Sequence, residues 1–407
     1  MKTRRNNTNA GVSILGNGKN RVVIVGNGAA GYYAAETLVS HGDECEITLI
    51  AEEKYVSYFR PRLSHFLGEK ELGKSFFLKK EEWYANSGIR LMLDTKVTSI
   101  DTALKNIKTD SDETIEYDRL ILSHGGNSFL PPTEGADLKG VFTLKTLDDA
   151  YAIKEWMGDC QKALVIGGGL LGIEAAWGMK QTGLDVTINN TSDRLLSNQL
   201  CLESGLFLEN VVRHKGVDVV LRDRVTRLVG DGRVESVEFE SGMTMEADIV
   251  LFSVGIRPNL GIAREAGIEC NRGIVVDRMM RTSAEGVFAC GDVVELEGRG
   301  FGNWIYAMQM GKVAAMNALG GQVEFRDSVS SVVMNSFGTS VNCIGQTLSE
   351  AATENIVTHD DSGEKFKKLI FKDGKLIGGI LIGDASSYPK LIEAVSQEAD
   401  ISEFKKK

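Results

Sequence analysis

Short, unbroken apolar runs recur along the chain. Residues 22–25 (Val-Val-Ile-Val) and 163–166 (Ala-Leu-Val-Ile) are too short for helices and too continuous for half-exposed strands, so they predict buried strands. Each ends in a glycine cluster and opens into a stretch rich in Ala and Leu that predicts a helix. A second apolar strand follows each unit, at 46–51 and 185–189, which makes two βαβ units in one chain. Between them the pattern predicts a loop over 54–73, a helix over 79–87, strands at 90–93 and 96–100, and hairpin strands at 106–108 and 113–117. The segment 117–126 reads as a strand running into a glycine turn. Beyond the second unit come a hairpin region (217–248), a buried strand (249–255), a strand (286–289) and a helix (305–319). Gly311, Ala314 and Ala315 make that helix suited to close packing. The last part reads as a separate α+β unit. It has a hairpin of 368–371 and 376–382 around Asp373-Gly374, then a helix over 388–397.

The glycine clusters carry chemistry. Gly26-Asn27-Gly28-Ala29-Ala30-Gly31 and Gly167-Gly168-Gly169-Leu170-Leu171-Gly172 both sit between a strand and a helix. In that context the first glycine allows the tight turn, and the second lets backbone amides approach a pyrophosphate. The third lets the helix pack on its strand, and the helix N-terminus adds partial positive charge. Two such turns imply two dinucleotides, and electron exchange between them is the simplest use of a pair. Glu52 ends the strand of the first unit at the distance where a carboxylate meets a ribose hydroxyl.

Composition narrows the class. The 407 residues exceed one core and imply two or three domains. With 45 Gly, 5 Pro and 43% hydrophobic residues, the chain is unlike a disordered one. The first 20 residues are basic and polar, with no apolar core of a secretory signal. They read as a loose extension in which 12–15 packs on the first domain. No apolar run reaches the roughly 18 residues of a membrane span, and a net charge of −10 disfavours nucleic acid. A cytoplasmic location is expected. Cys45, Cys160, Cys201, Cys270, Cys290 and Cys343 are scattered, without CxxC or CxxxxC spacing, and read as small buried hydrophobes.

These residues resemble the two-dinucleotide-fold flavoprotein reductases of the FAD-dependent pyridine nucleotide-disulfide type. The resemblance rests on both glycine turns, on Val254-Gly255-Ile256-Arg257-Pro258-Asn259 and on Gly286-Val287-Phe288-Ala289-Cys290-Gly291-Asp292. The stretch Lys54-Tyr55-Val56-Ser57-Tyr58-Phe59-Arg60-Pro61-Arg62-Leu63 is most similar to NAD(P)H:rubredoxin oxidoreductases and the flavin-binding half of assimilatory nitrite reductase large subunits. Disulfide reductases carry a CxxxxC pair near this region. Here no cysteine lies between Cys45 and Cys160, so no thiol relay is expected. The resemblance implies an α/β fold of two Rossmann-like domains, as in glutathione reductase, plus a small α+β domain. The FAD-binding domain would be 21–125 with 256–325, the NAD(P)-binding domain 126–255, and the C-terminal domain 326–407.

The same resemblance implies roles. FAD would lie on Gly26, Gly28, Ala29, Ala30 and Gly31, with Glu52 on its ribose and Val97 at its adenine. Arg60, Arg62 and His65 would line the flavin, and Ser123-His124-Gly125 replaces the family's Ala-Thr-Gly. Gly291 and Asp292 would meet the ribityl chain. Trp304 and Ile305 begin a helix whose N-terminus would face the flavin's pyrimidine end. NADH or NADPH would lie on Gly167, Gly169, Leu170, Leu171, Gly172 and Gly255, with Glu174 near the nicotinamide. Asn190 stands where NADH-preferring relatives have an acid, and Arg194 is near enough to assist a 2′-phosphate, so either nucleotide is expected. The implied activity is hydride transfer from NAD(P)H to FAD, then single-electron transfer to a small acidic iron protein such as rubredoxin or a ferredoxin. A monomer or weak homodimer is expected. An NAD(P)H oxidase using oxygen and a non-catalytic redox sensor are the alternatives. Lys54, Arg60, Arg62, Lys70, Lys74, Lys79 and Lys80, against only Glu69 and Glu71, form a basic segment expected to steer an acidic partner.

Overall fold

A computed structural model describes residues 19–41, 45–360 and 363–405, so nearly all of the N-terminal extension, including 12–15, lies outside the described residues. Two five-stranded parallel sheets dominate. The first has the order Val287–Ala289, Arg119–Leu122, Asn20–Val25, Cys45–Ile50, Ile89–Met92. The second runs Asp218–Leu221, Asp185–Asn190, Lys162–Ile166, Ile249–Phe252, Val141–Thr143. In both, the strand that leads into a glycine turn is central, with a helix crossing behind it (Ala29–Ser40 and Leu170–Gln181). Burial on both faces explains why these strands read as continuous apolar runs: Val22, Ile24, Leu164 and Val165 are fully buried.

Each half also carries a three-stranded antiparallel sheet: Val97–Asp101, Asn106–Thr109 and Thr114–Glu116 in the first, Val225–Val229, Ser236–Phe239 and Thr244–Glu246 in the second. Gly126–Ser128 pairs with Ile256–Pro258 as an antiparallel link where the chain crosses between the halves. The C-terminal part is larger than the predicted hairpin. It is a five-stranded antiparallel sheet with Tyr388–Ser396 packed on one face and the second unit on the other.

Three local differences from the sequence reading have physical causes. The predicted loop 54–73 contains a 3-10 turn, Arg60–Arg62, and a short helix, Leu63–Phe66; Pro61 fixes the turn and Leu63 and Phe66 are buried. A helix not predicted, Leu147–Met157, starts at a capping box in which Thr146 and Asp149 bond each other's backbone N–H. The cysteines divide. Cys45, Cys290 and Cys343 are buried, whereas Cys160, Cys201 and Cys270 are half-buried, and none forms a disulfide. Burial opposes ionisation of Cys201, but Ser204 and Lys368 (Nζ to Sγ 3.4 Å) outweigh it and hold the thiol below its usual range.

Candidate nucleotide sites and the bridge between them

The two glycine turns are nearly the same object. Gly26 (φ 106°) and Gly167 (φ 126°) hold a backbone conformation that L side chains rarely adopt. A Cβ on Gly26 would lie 2.5 Å from the Ser123 carbonyl oxygen, and one on Gly167 would lie 2.2 Å from that of Ser253. A Cβ on Gly31 would meet Gly26 O at 1.8 Å, and one on Gly172 would meet Gly167 O at 2.1 Å. The middle glycines differ: Gly28 and Gly169 have no heavy atom within 4 Å of a built Cβ. Both cap a helix whose first turn has no side-chain cap, so backbone N–H groups stand free beside open space. That is the cradle a pyrophosphate needs.

Around the first turn lie buried polar atoms without hydrogen-bond partners among the described residues. They include Asn27 Nδ2 and Oδ1, Ser57 Oγ, His124 Nδ1 and Asp292 Oδ1. Burial pushes the Asp292 carboxyl up to about 6. Gly291 rests against Ala30, and Gly311 of the helix Trp304–Ala318 sits so close that a Cβ would meet Ala30 O at 2.2 Å. Arg60 is held by Glu53 (2.6 Å), by the Lys145 carbonyl and by stacking over Tyr58, whose hydroxyl also bonds Glu53 (2.6 Å). Burial and the Arg60 guanidinium push the Lys145 ammonium below the usual lysine range; its Nζ donates to Asn127 Oδ1 at 2.8 Å. His124 Nε2 lies 2.8 Å from the Asn259 carbonyl, which can only accept, so Nε2 carries the proton and Nδ1 is a buried acceptor. Burial lowers this imidazole. Ser123 Oγ bonds the Val25 and Gly26 carbonyls (2.9 and 3.0 Å) and so locks the turn.

Other expected residues spread around this centre. Val97 is buried, and Glu52 is exposed beside Lys96 (3.4 Å). Trp304 packs edge-on against Phe59 at 4.8 Å. Ile305 is 42% exposed, and its N–H is already accepted by Asn303 Oδ1 at 2.8 Å. Arg62 turns to Glu69.

The second turn meets a quieter set. Asn190 Nδ2 donates to the Arg194 carbonyl at 2.8 Å. The Arg194 guanidinium bonds Asp193 and the Leu200 and Ser197 carbonyls, so it braces its own loop. Leu170 is half-buried and Leu171 is 48% exposed beside the turn.

Glu174 joins the two units. It lies one turn into the helix Leu170–Gln181 and is 7% exposed. Ser64 Oγ is 2.9 Å from its Oε2, and His65 Nε2 is 3.4 Å from its Oε1. Both partners come from the short helix Leu63–Phe66, which the sequence reading assigned to flavin-lining loop. That helix is clamped by a glycine contact: a Cβ on Gly178 would meet the Ser64 carbonyl at 2.7 Å. Lys154 Nζ caps its far end on the Phe66 (3.0 Å), Leu67 (3.4 Å) and Glu69 carbonyls. Lys145, Ser57, Glu53, Tyr58, Asn27 and Ser64 escaped the sequence reading. Only Asn27, inside the motif, gave a local signal.

Three of the seven cations of the predicted basic segment are paired. Lys54 pairs with Asp148 (3.0 Å), Arg60 with Glu53 and Arg62 with Glu69. A sequence window sees only its own charges, and Asp148 comes from outside it.

Residues 20–311 match the model of the pyridine nucleotide-disulphide oxidoreductase family, and 331–399 match that of the rubredoxin NAD+ reductase C-terminal domain. The chain is 35% identical over 392 residues to a nitrite reductase [NAD(P)H] of Bacillus subtilis, covering 96% of this chain and 49% of that protein. It is 30% identical over 375 residues to the NADH-rubredoxin oxidoreductase of Clostridium acetobutylicum, covering 92% and 94%. The crystal structure of NADH:rubredoxin oxidoreductase from that organism aligns with a TM-score of 0.78 at 28% identity, over 94% of this chain and 96% of the other. The chain thus spans about half the length of the nitrite reductase it matches. It belongs to the pyridine nucleotide-disulphide oxidoreductase family, whose cofactors are FAD and NAD(P)H, and it has that family's two-dinucleotide α/β fold with a β-rich C-terminal domain. Among the described residues no helix is long and apolar enough to cross a membrane.

Proposed function

We propose that the chain passes two electrons from NADH or NADPH to FAD and then single electrons to a small acidic iron protein of the rubredoxin or ferredoxin type. The observation that carries this reading is the bridge at Glu174. A side chain of the second nucleotide unit is buried against the loop of the first, so the two units are joined directly beside the loop expected to line the flavin. Bound FAD supplies the conversion between hydride and single-electron chemistry.

The chain's own residues bind and orient. Gly26, Gly28 and Gly31 with the amides of Ala29 and Ala30 hold the FAD pyrophosphate, and Glu52 takes the ribose. Asp292 would accept from a ribityl hydroxyl, Asn27 and His124 would border the pyrophosphate beside the turn, and Arg60 and Lys145 would border the isoalloxazine end and exclude water. The helix beginning at Trp304 presents its positive end to that group. Gly167, Gly169 and Gly172, with Asn190, hold the nicotinamide nucleotide, and Glu174 borders the nicotinamide. The nitrite reductase likeness covers 49% of that protein, so its activity is not carried over to this chain.

Lys70, Lys74, Lys79 and Lys80 remain as cations for an acidic partner. Purified holoenzyme should reduce rubredoxin at least about tenfold faster than it reduces oxygen. Raising salt across the ~8 Å physiological screening length should slow only the acceptor step. Lys79→Glu with Lys80→Glu should slow that step further and leave reduction by NAD(P)H unchanged. Equal rates with oxygen alone would overturn the reading.

A further inference from the structure

We propose that His65 is a positioning residue that sets how much negative charge Glu174 presents to the nicotinamide, and so whether oxidised or reduced dinucleotide is held more tightly. The proposal rests on the reading that Glu174 borders the nicotinamide.

A carboxylate as buried as Glu174 needs partners, and it has two: the Ser64 hydroxyl and the His65 imidazole. Ser64 is neutral at every pH, so His65 alone supplies a counter-charge that a proton can switch. Its distance cannot drift far, because the Gly178 contact and Lys154 fix both ends of the short helix. The charged groups facing His65 are Glu174 from the helix Leu170–Gln181, Arg62 from the preceding turn and Glu69 just after the helix. Lys154 on the helix Leu147–Met157 faces the far end of the short helix. Arg62 and Glu69 pair with each other, which leaves Glu174 as the dominant partner.

The Glu174 hydrogen bond raises the His65 imidazole against the opposing effect of burial. A raised imidazole means the ion pair is complete below the ordinary histidine range (about 6.5) and is lost as pH climbs through the raised value. The oxidised nicotinamide ring carries a positive charge and the reduced ring none. With His65 protonated, the Glu174 charge is spent and the cation gains little. With His65 neutral, the carboxylate is uncompensated and favours the oxidised ring. Product release is therefore easiest at the acid end of the range.

The test is a pair of equilibrium titrations of the FAD-loaded protein between pH 5.5 and 8.5. One uses NAD+; the other uses the unreactive tetrahydro analogue of NADH, whose ring is uncharged. Neither has a 2′-phosphate to titrate. The affinity ratio should shift about fivefold toward NAD+ as pH rises. His65→Lys should hold the ratio at its low-pH value, His65→Gln at its high-pH value, and Glu174→Gln should flatten and lower it. In NMR titrations of the wild-type protein and of Glu174→Gln, the His65 midpoint should be higher in the wild type. If Glu174→Gln leaves the ratio and its pH dependence as in wild type, Glu174 does not face the nicotinamide and the underlying reading fails. If Glu174→Gln moves the ratio while both His65 variants keep the wild-type pH profile, that reading stands and the role of His65 is overturned.

Discussion

The two glycine turns share a backbone and differ in their surroundings. Each has a packed first glycine, an open middle glycine and a packed third glycine, and each is backed by a serine, Ser123 or Ser253, at the end of the neighbouring strand. Around the first, Asn27, Ser57, His124 and Asp292 bury polar atoms that nothing among the described residues satisfies. Around the second, position 168 is a glycine with no side chain to satisfy, and Asn190 and Arg194 already bond the loop they belong to. The buried orphan there is Asn189 Oδ1, on a side chain whose Nδ2 bonds Val220 O and Asp223 O. An orphaned buried polar group costs about 1–3 kcal/mol. A site with several gains much stability when filled, and a site with one stands empty at less cost. We read the first as built for a resident group and the second for one that comes and goes.

The sharpest way to break the likeness is to fill the packed glycines. In Gly31→Ala the new methyl would sit 1.8 Å from Gly26 O, and in Gly172→Ala 2.1 Å from Gly167 O, both against backbone that cannot swing aside. Each should lose more than about 3 kcal/mol and accumulate as insoluble protein, whatever ligand is added. If one variant folds with a normal thermal midpoint, the two turns are not equivalent as scaffolds.

The middle glycines separate scaffold from site. Gly28→Ala and Gly169→Ala meet nothing in the protein alone, so neither should harm the bare fold. Gly28→Ala should purify without FAD and unfold at the temperature of FAD-stripped wild type. That temperature should lie about 10 °C or more below the holoprotein, because the orphans around Asn27 and Asp292 are then unmet. Gly169→Ala should keep its FAD and its melting temperature while losing about tenfold or more in nicotinamide affinity. Equal thermal penalties for the two variants would contradict the contrast drawn above.

How far this was legible from the sequence follows the range of each interaction. The turns, their strands and the Gly291-Asp292 approach are local patterns, and eight of the ten strands of the two parallel sheets were predicted; Val141–Thr143 was not, and Asp218–Leu221 lies in what reads as a hairpin region. The capping box at Thr146 and Asp149 was equally local and available in the letters. The bridge from Ser64 and His65 to Glu174 spans some 110 positions and depends on Gly178 of one helix packing against the Ser64 carbonyl of the other, which no local period encodes. Lys145 reaches the first site only because a short strand edge and the start of a helix place it beside Arg60. The pairing of Lys54 within the basic segment was hidden for the same reason: Asp148 lies 94 positions away.

The smallest expected effect tests the exchangeable site alone. Asn190 ends its strand without a charge, so nothing there repels a 2′-phosphate, and its amide is half-buried. Asn190→Glu places a carboxylate against that phosphate, and two unpaired anions in partly screened space should weaken NADPH relative to NADH by about 1–2 kcal/mol, roughly five- to thirtyfold. The substitution also removes the Nδ2 bond to the Arg194 carbonyl, so the loop loosens. That loss falls on both nucleotides alike and cancels in the ratio of their kcat/KM values, which is therefore the quantity to measure. Because the first site is untouched, FAD content and thermal midpoint should stay at their wild-type values. An unchanged ratio would mean that the ribose of the nicotinamide nucleotide is held somewhere other than the end of this strand. A loss of FAD would mean that the two sites are not as separable as their surroundings indicate.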